Sequence, residues 1–152
     1  FTASMRVTLI YMKWQMEMRE YPKFELTGTA PSRPISFVTV RFSEELEHNL
    51  LTSPAVSDPL NELIVVDNRQ NLFFDTLSQA LINGINQAKH DLIAIVHEDV
   101  VLLDGWQQQL EKSLAALEEH DPNWALAGPI GWLPKRKAKG HVSDPHGYTN
   151  TF

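Results

Sequence analysis

The sequence predicts an α/β fold in which a mostly parallel sheet is sandwiched by helices. Two observations lead there. From residue 35 onward, stretches of strand length alternate with stretches of helical period. The strands are also apolar throughout instead of alternating apolar with polar. A strand that is apolar on both sides needs cover on both faces, which crossover helices between parallel strands provide.

The elements follow in order. "ISFVTV" (35–40) is β-branched and apolar, as a buried strand requires. Ser43 can cap a short helix through "EELEHNLL", where Glu44 and Glu45 suit the positive end of the helix dipole. "SPAVSDPLN" closes that helix with two prolines, and "ELIVVD" (62–67) is a second buried strand. "NLFFDTLSQALINGINQAKH" reads as a helix with Leu77, Leu81, Ile85 and Ala88 at helical spacing. "DLIAIV" (91–96) is the third strand. Asp104 is then expected to cap a helix whose Trp106, Leu110, Leu114 and Leu117 form one stripe. "NWALAGPIGW" supplies a fourth short strand, ended by Gly128 and Pro129. Ahead of this rhythm, "MRVTLIYMKWQMEMREY" follows neither period and "TGTAPSRP" breaks regular structure. Residues 1–34 are therefore expected to be an N-terminal extension and linker, with the Met-rich stretch packing on the domain or on a partner.

Composition narrows the function classes. With 152 residues the chain suffices for one core, and its 43% hydrophobic and 21% charged residues are ordinary for a globular domain. A net charge of -6 argues against nonspecific nucleic-acid binding. The absence of cysteine removes disulfides, thiolate catalysis and Cys-ligated zinc. No apolar run reaches the roughly 20 residues of a membrane span, and no stretch reads as a signal peptide, so a cytoplasmic location is expected. The chain opens on Phe1 rather than Met, and a fragment or a processed product is expected.

In parallel sheets, ligands bind beyond the carboxyl ends of the strands, near a reversal of strand order. The side chains to weigh are Arg41 and Phe42, Asp67 and Asn68, and His97, Glu98 and Asp99. Imidazole and carboxylate groups suit a divalent cation, and oxygen ligands favour magnesium or manganese. Side chains alternate along a strand, so His97 and Asp99 should share one side and Glu98 the other. Taken alone, the triplet reads more readily as a strand end meeting water than as a metal site. Asp67 can accept from a base or ribose, or cap the following turn. Arg41 can hold phosphate oxygens, or pair with Glu44 or Glu45. "PKRKAKG" puts Lys135, Arg136, Lys137 and Lys139 in one basic loop, either a solvated run or a site for an acidic ligand. His141, Asp144 and His146 match no closed zinc spacing. No Walker loop, G-x-G-x-x-G or G-x-S-x-G is present, which takes weight from the common ATPase, dinucleotide and hydrolase readings.

"ISFVTVRF", "ELIVVDN", "ALINGINQAKHDLIAIVHEDVVLLDGW" and "WALAGPIGW", taken together, resemble the nucleotide-sugar half of family 2 glycosyltransferases, which have the Rossmann-like GT-A fold. The most specific part runs through Asn83-Gly84, the Ala88 to Asp91 segment, His97-Glu98-Asp99 and Asp104-Gly105-Trp106. The resemblance places Asp99 as the last acid of the family's D-x-D motif, which holds the cation bridging the donor diphosphate. His97 stands where the first acid usually is, as in a subgroup of these proteins. Asp67 takes the place of the acid that contacts the nucleobase, and Arg41 and Phe42 lie where the loop wraps base and ribose. The candidate nucleotide-binding set is thus Arg41, Phe42, Asp67, Asn68, His97 and Glu98, and the candidate metal set is Asp99 with His97.

On this resemblance, residues 35–134 are the nucleotide-sugar-binding domain. Residues 135–152 are a basic loop and terminal segment leading into an acceptor half outside this chain. The implied activity is transfer from a UDP- or GDP-type sugar to an unidentified acceptor, with Mn2+ or Mg2+. The alternative is a catalytically inactive GT-A-like nucleotide-binding or interaction module.

Overall fold

The computed structural model describes residues 32–128 with their side chains, and the backbone of strands at 6–10, 130–133, 137–143 and 149–151. Its frame is a five-stranded parallel sheet with strands β1 (Arg6–Ile10), β2 (Ile35–Arg41), β3 (Glu62–Asp67), β4 (Leu92–Val96) and β5 (Leu126–Ala127). The spatial order is β3-β2-β4-β1-β5. β2 pairs with β3 from Ser36↔Glu62 to Arg41↔Asp67, and with β4 from Ile35↔Leu92 to Val38↔Ile95. A second sheet joins β6 (Ile130–Leu133), β7 (Lys137–Ser143) and β8 (Thr149–Thr151) in antiparallel pairs.

β2 is the best-covered strand, because it lies between two neighbours and under helices on both faces. Ile35 and Phe37 face one core, shared with Leu92, Ala94, Val96, Leu114 and Trp124. Val40 faces another, with Val66 and Ala80. Fully burying each large side chain contributes about 1.5–3 kcal/mol, so this strand anchors the domain. Three helices of the first core's side and one of the second's complete the layers: α1 (Glu45–His48), α2 (Pro54–Ser57), α3 (Leu77–Ile85) and α4 (Trp106–His120). Leu46, Leu50 and Ala55 bring the α1 and α2 segment onto the first core. On α4, Leu114 is buried while Trp106, Leu110 and Leu117 pack on that same core, as the stripe predicts. Trp106 meets Phe37 at a centroid distance of 5.7 Å.

Several elements depart from the expectations, each for a local reason. Arg6–Ile10, inside the segment expected to be an extension, forms a strand between β4 and β5. β3 is an edge strand, so it is half-buried and leaves Val65 40% exposed instead of enclosed. The helix expected over 71–90 is only the nine residues of α3. It starts late because Gln70 and Asn71 both take left-handed backbone angles, and because Thr76 and Gln79 form a capping box. Its buried positions are Ala80 and Gly84, whereas Leu77 is 46% exposed. Gly84 explains the choice of face: a Cβ there would lie 2.5 Å from Val38 Cγ1 and 3.0 Å from Val66 Cγ2, so only glycine lets α3 approach β2 this closely. α4 begins at Gly105, at φ 78° and without a side-chain cap, in place of the expected Asp104. The basic segment expected as a loop is strand from Lys137 onward. Its sequence, "KAKGHVS", has a two-residue period compatible with that state. Lys135, Arg136, Asp144 and His146 lie outside the described residues.

Candidate functional site

The chain runs from β2 outward to β3, then back past β2 to β4. The reversal falls between β2 and β4, and parallel sheets bind ligands beyond the carboxyl ends of the strands at such a point. The residues after β2, β3 and β4 all lie at those ends. They fall into three groups with different partners.

Glu98 and Asn68 turn inward. Glu98 is 3% exposed. Its Oε2 accepts from the backbone N–H groups of Phe42 at 3.0 Å and Ser43 at 3.2 Å. Its Oε1 accepts from the Ser43 hydroxyl at 3.0 Å. Glu44 takes the N-cap position of α1 in place of the expected Ser43, without a side-chain cap; Ser43 lies one residue earlier, and its Oγ accepts from Glu45 N–H while it donates to Glu98. Asn68 is likewise buried. Its Oδ1 accepts from Phe73 N–H at 3.2 Å and Phe74 N–H at 2.9 Å, and its Nδ2 donates to the Phe74 carbonyl. Its own N–H donates to the Arg41 carbonyl, joining the loop after β3 to the end of β2. Both side chains, counted above among the nucleotide-binding candidates, are committed to loop backbone.

Arg41 and Asp67 turn outward into ion pairs. The Arg41 guanidinium pairs with Glu44 and, at 2.7 Å, with Glu47. Asp67 pairs with Arg69 at 2.6 Å. The Arg69 side chain, then its backbone N–H, hold the Asp67 carboxyl below the ordinary carboxylate range. Asp67 thus also caps the turn after β3, one of its two expected uses.

His97 and Asp99 form the third group. β4 ends at Val96, and residues 97–100 make a turn closed by Val100 N–H donating to the His97 carbonyl. The expected separation therefore occurs, with Glu98 on one side and the other two together, although a turn and not a strand produces it. Val100 and Leu102 then re-enter the core, and the Leu102 N–H is held by the Ser53 hydroxyl at 2.8 Å. This is how three polar residues interrupt an apolar run without ending it.

His97 Nδ1 lies 2.5 Å from Asp99 Oδ1. A carboxylate only accepts, so the imidazole N–H donates in this contact. The contact is a hydrogen bond between the two side chains. It leaves Asp99, 7% exposed, as the group able to offer an oxygen to a cation, with His97 orienting it. Among the described residues, no three His, Asp or Glu side chains converge as a metal cage. A cation held there would have one carboxylate from the described residues and would need the rest of its shell from other ligands.

A cavity of about 480 Å³ opens at the other edge of the sheet, bordered by Arg33, Lys89, His90, Asp91 and Trp124. Its cationic groups already have partners: Arg33 pairs with Glu118 at 2.8 Å and Lys89 with Glu62 at 3.2 Å. Burial works to raise the Glu62 pKa, but hydrogen bonds from Ser36 and Lys89 outweigh it and leave the group lowered.

Sequence reasoning placed the strand-end residues at one edge but missed what Glu98 and Asn68 do. The available signal was chemical: an amide or carboxylate at the end of a buried strand must find donors nearby.

No protein-family model matches the chain, and no solved structure matches it. The chain is similar to a protein described as "ATP synthase subunits region ORF 6" from Fuscovulum blasticum, 33% identical over 92 residues. The match covers 57% of this chain and 36% of that protein, so the chain spans little more than a third of its relative's length.

Proposed function

We propose that this chain is the nucleotide-sugar half of a glycosyltransferase, binding a UDP- or GDP-type sugar with Mn2+ or Mg2+ and delivering the sugar to an acceptor bound elsewhere. The observation that supports the reading is that the paired His97 and Asp99 lie in the turn whose Glu98 pins the loop after β2, at the carboxyl ends of the strands. Asp99 would hold the cation and His97 would orient its carboxylate. When bound, the cation supplies charge neutralisation for a departing diphosphate. Phe42 offers the nucleotide an apolar surface at the end of β2. Arg41 would exchange an acidic partner for phosphate; Glu44 is largely exposed, so that exchange costs little. Among the described residues we assign no base for the acceptor hydroxyl.

The test is thermal denaturation with UDP or GDP and manganese. Either nucleotide should raise the melting temperature, and Asp99→Asn should remove the rise. An equal rise in the variant would exclude Asp99 from the site. Among the described residues no group of three His, Asp or Glu side chains converges as a metal cage, which favours one further reading, a binding module without transfer. Nucleotide binding without sugar-nucleotide hydrolysis or transfer by the full-length protein would select it.

A further inference from the structure

We infer that Glu98 is a positioning residue: it fixes the Phe42 and Ser43 loop at a set distance from Asp99 and does not itself take ligand or cation. Its carboxylate is almost wholly enclosed and receives three donors from the loop after β2, 55 or 56 residues away in sequence. Its neighbours in the turn, His97 and Asp99, point to each other. The central acid therefore ties the end of β2 to the end of β4, and the acid after it is left for the site.

The geometry assigns the role to shape and acceptor placement instead of charge. A glutamine can reproduce the pattern. Its Oε1 would accept the two backbone N–H groups, and its Nε2 would donate to Ser43 Oγ, a hydroxyl that can accept as well as donate. Leucine has similar bulk and no acceptor, and it would leave two backbone donors and a hydroxyl unpaired. A carboxylate acting as a ligand or as a base would fail on both substitutions. The two variants thus separate positioning from chemistry.

The inference rests on the nucleotide-site reading only for its ligand measurement, so two readouts are taken on the 152-residue chain. The first is amide hydrogen exchange at Phe42 and Ser43, compared with core amides such as Ile93, without ligand. The second is the affinity for UDP or GDP with manganese. Glu98→Gln should leave exchange and affinity within about 3-fold of the parent. Glu98→Leu should speed exchange at both amides by about 10-fold or more and weaken binding by a similar factor, the size of one lost buried hydrogen bond. Should Glu98→Leu fail to fold, Ser43→Ala removes the hydroxyl arm, together with the acceptor of Glu45 N–H, and should speed the same amides by about 3-fold. Loss of affinity in Glu98→Gln with its amides still protected would overturn the inference, because the charge would then be needed. Unchanged exchange in Glu98→Leu, or in Ser43→Ala, would overturn it as well. If the parent binds neither nucleotide, the proposed function falls, while the exchange pattern still decides whether Glu98 holds the loop.

Discussion

Glu98 and Asn68 turn inward at the carboxyl ends of the strands, whereas Asp67 and Arg41, at the same ends, turn outward, and the two pairs of polar side chains meet different partners. Glu98 and Asn68 are buried, and each gives one oxygen to two consecutive backbone N–H groups. Asp67 and Arg41 lie at the same edge but pair with flexible charged side chains near the surface. A buried acceptor that loses its donors, or donors that lose their acceptor, cannot turn to water for replacement. An exposed ion pair can. Polarity at a strand end therefore does not define a role; the partner and its access to solvent do.

This contrast has measurable consequences beyond Glu98. Asn68→Ala should be the costliest, because it strands the Phe73 and Phe74 N–H groups and the Phe74 carbonyl. A loss of about 2 kcal/mol in urea denaturation is expected, and a loss under about 0.5 kcal/mol would show that water reaches the loop. Arg41→Gln should change stability by less than about 0.5 kcal/mol, since its partners are surface carboxylates. The same variant should reduce the nucleotide-induced rise in melting temperature, separating a ligand role from a folding role.

The smallest effect should come from Asp67→Asn, visible mainly as pH dependence. The Asp67 pKa is lowered in the folded chain from its ordinary 3.8, so its stabilisation is present above that value. It is lost as pH falls through the lower folded value, because the unfolded chain then binds the proton more readily. The parent should thus lose its advantage over Asp67→Asn as acid is added, and parallel melting curves across that window would refute the pairing.

Much of the architecture could be read from the amino acids. The β2, β3 and β4 segments are apolar runs of strand length, and the Trp106, Leu110, Leu114 and Leu117 stripe packs as its spacing predicts. The start of α3 was harder to read, since "NLFFDT" carries apolar residues at plausible helical positions. Two left-handed residues and the Asn68 hydrogen bonds hold that stretch out of the helix. Its buried face was hidden for a different reason. Gly84 counts as weak in any propensity scale, yet its missing side chain is what lets α3 meet Val38 and Val66. β1 was missed because five residues among mixed Met, aromatic and charged neighbours carry too little period to stand out.

At the candidate site, the residue types and their location at the strand ends follow from local sequence alone. Period and polarity are local quantities, and so is the switch from apolar run to "HED". Which acid turns toward the loop after β2 is not local. Glu98 finds its three donors in Phe42 and Ser43, brought beside it only when β2 and β4 pair. Asp99 keeps its place near His97 because that pairing has already taken its neighbour. Adjacent carboxylates in one tripeptide thus acquire different roles through contacts that span more than a third of the chain.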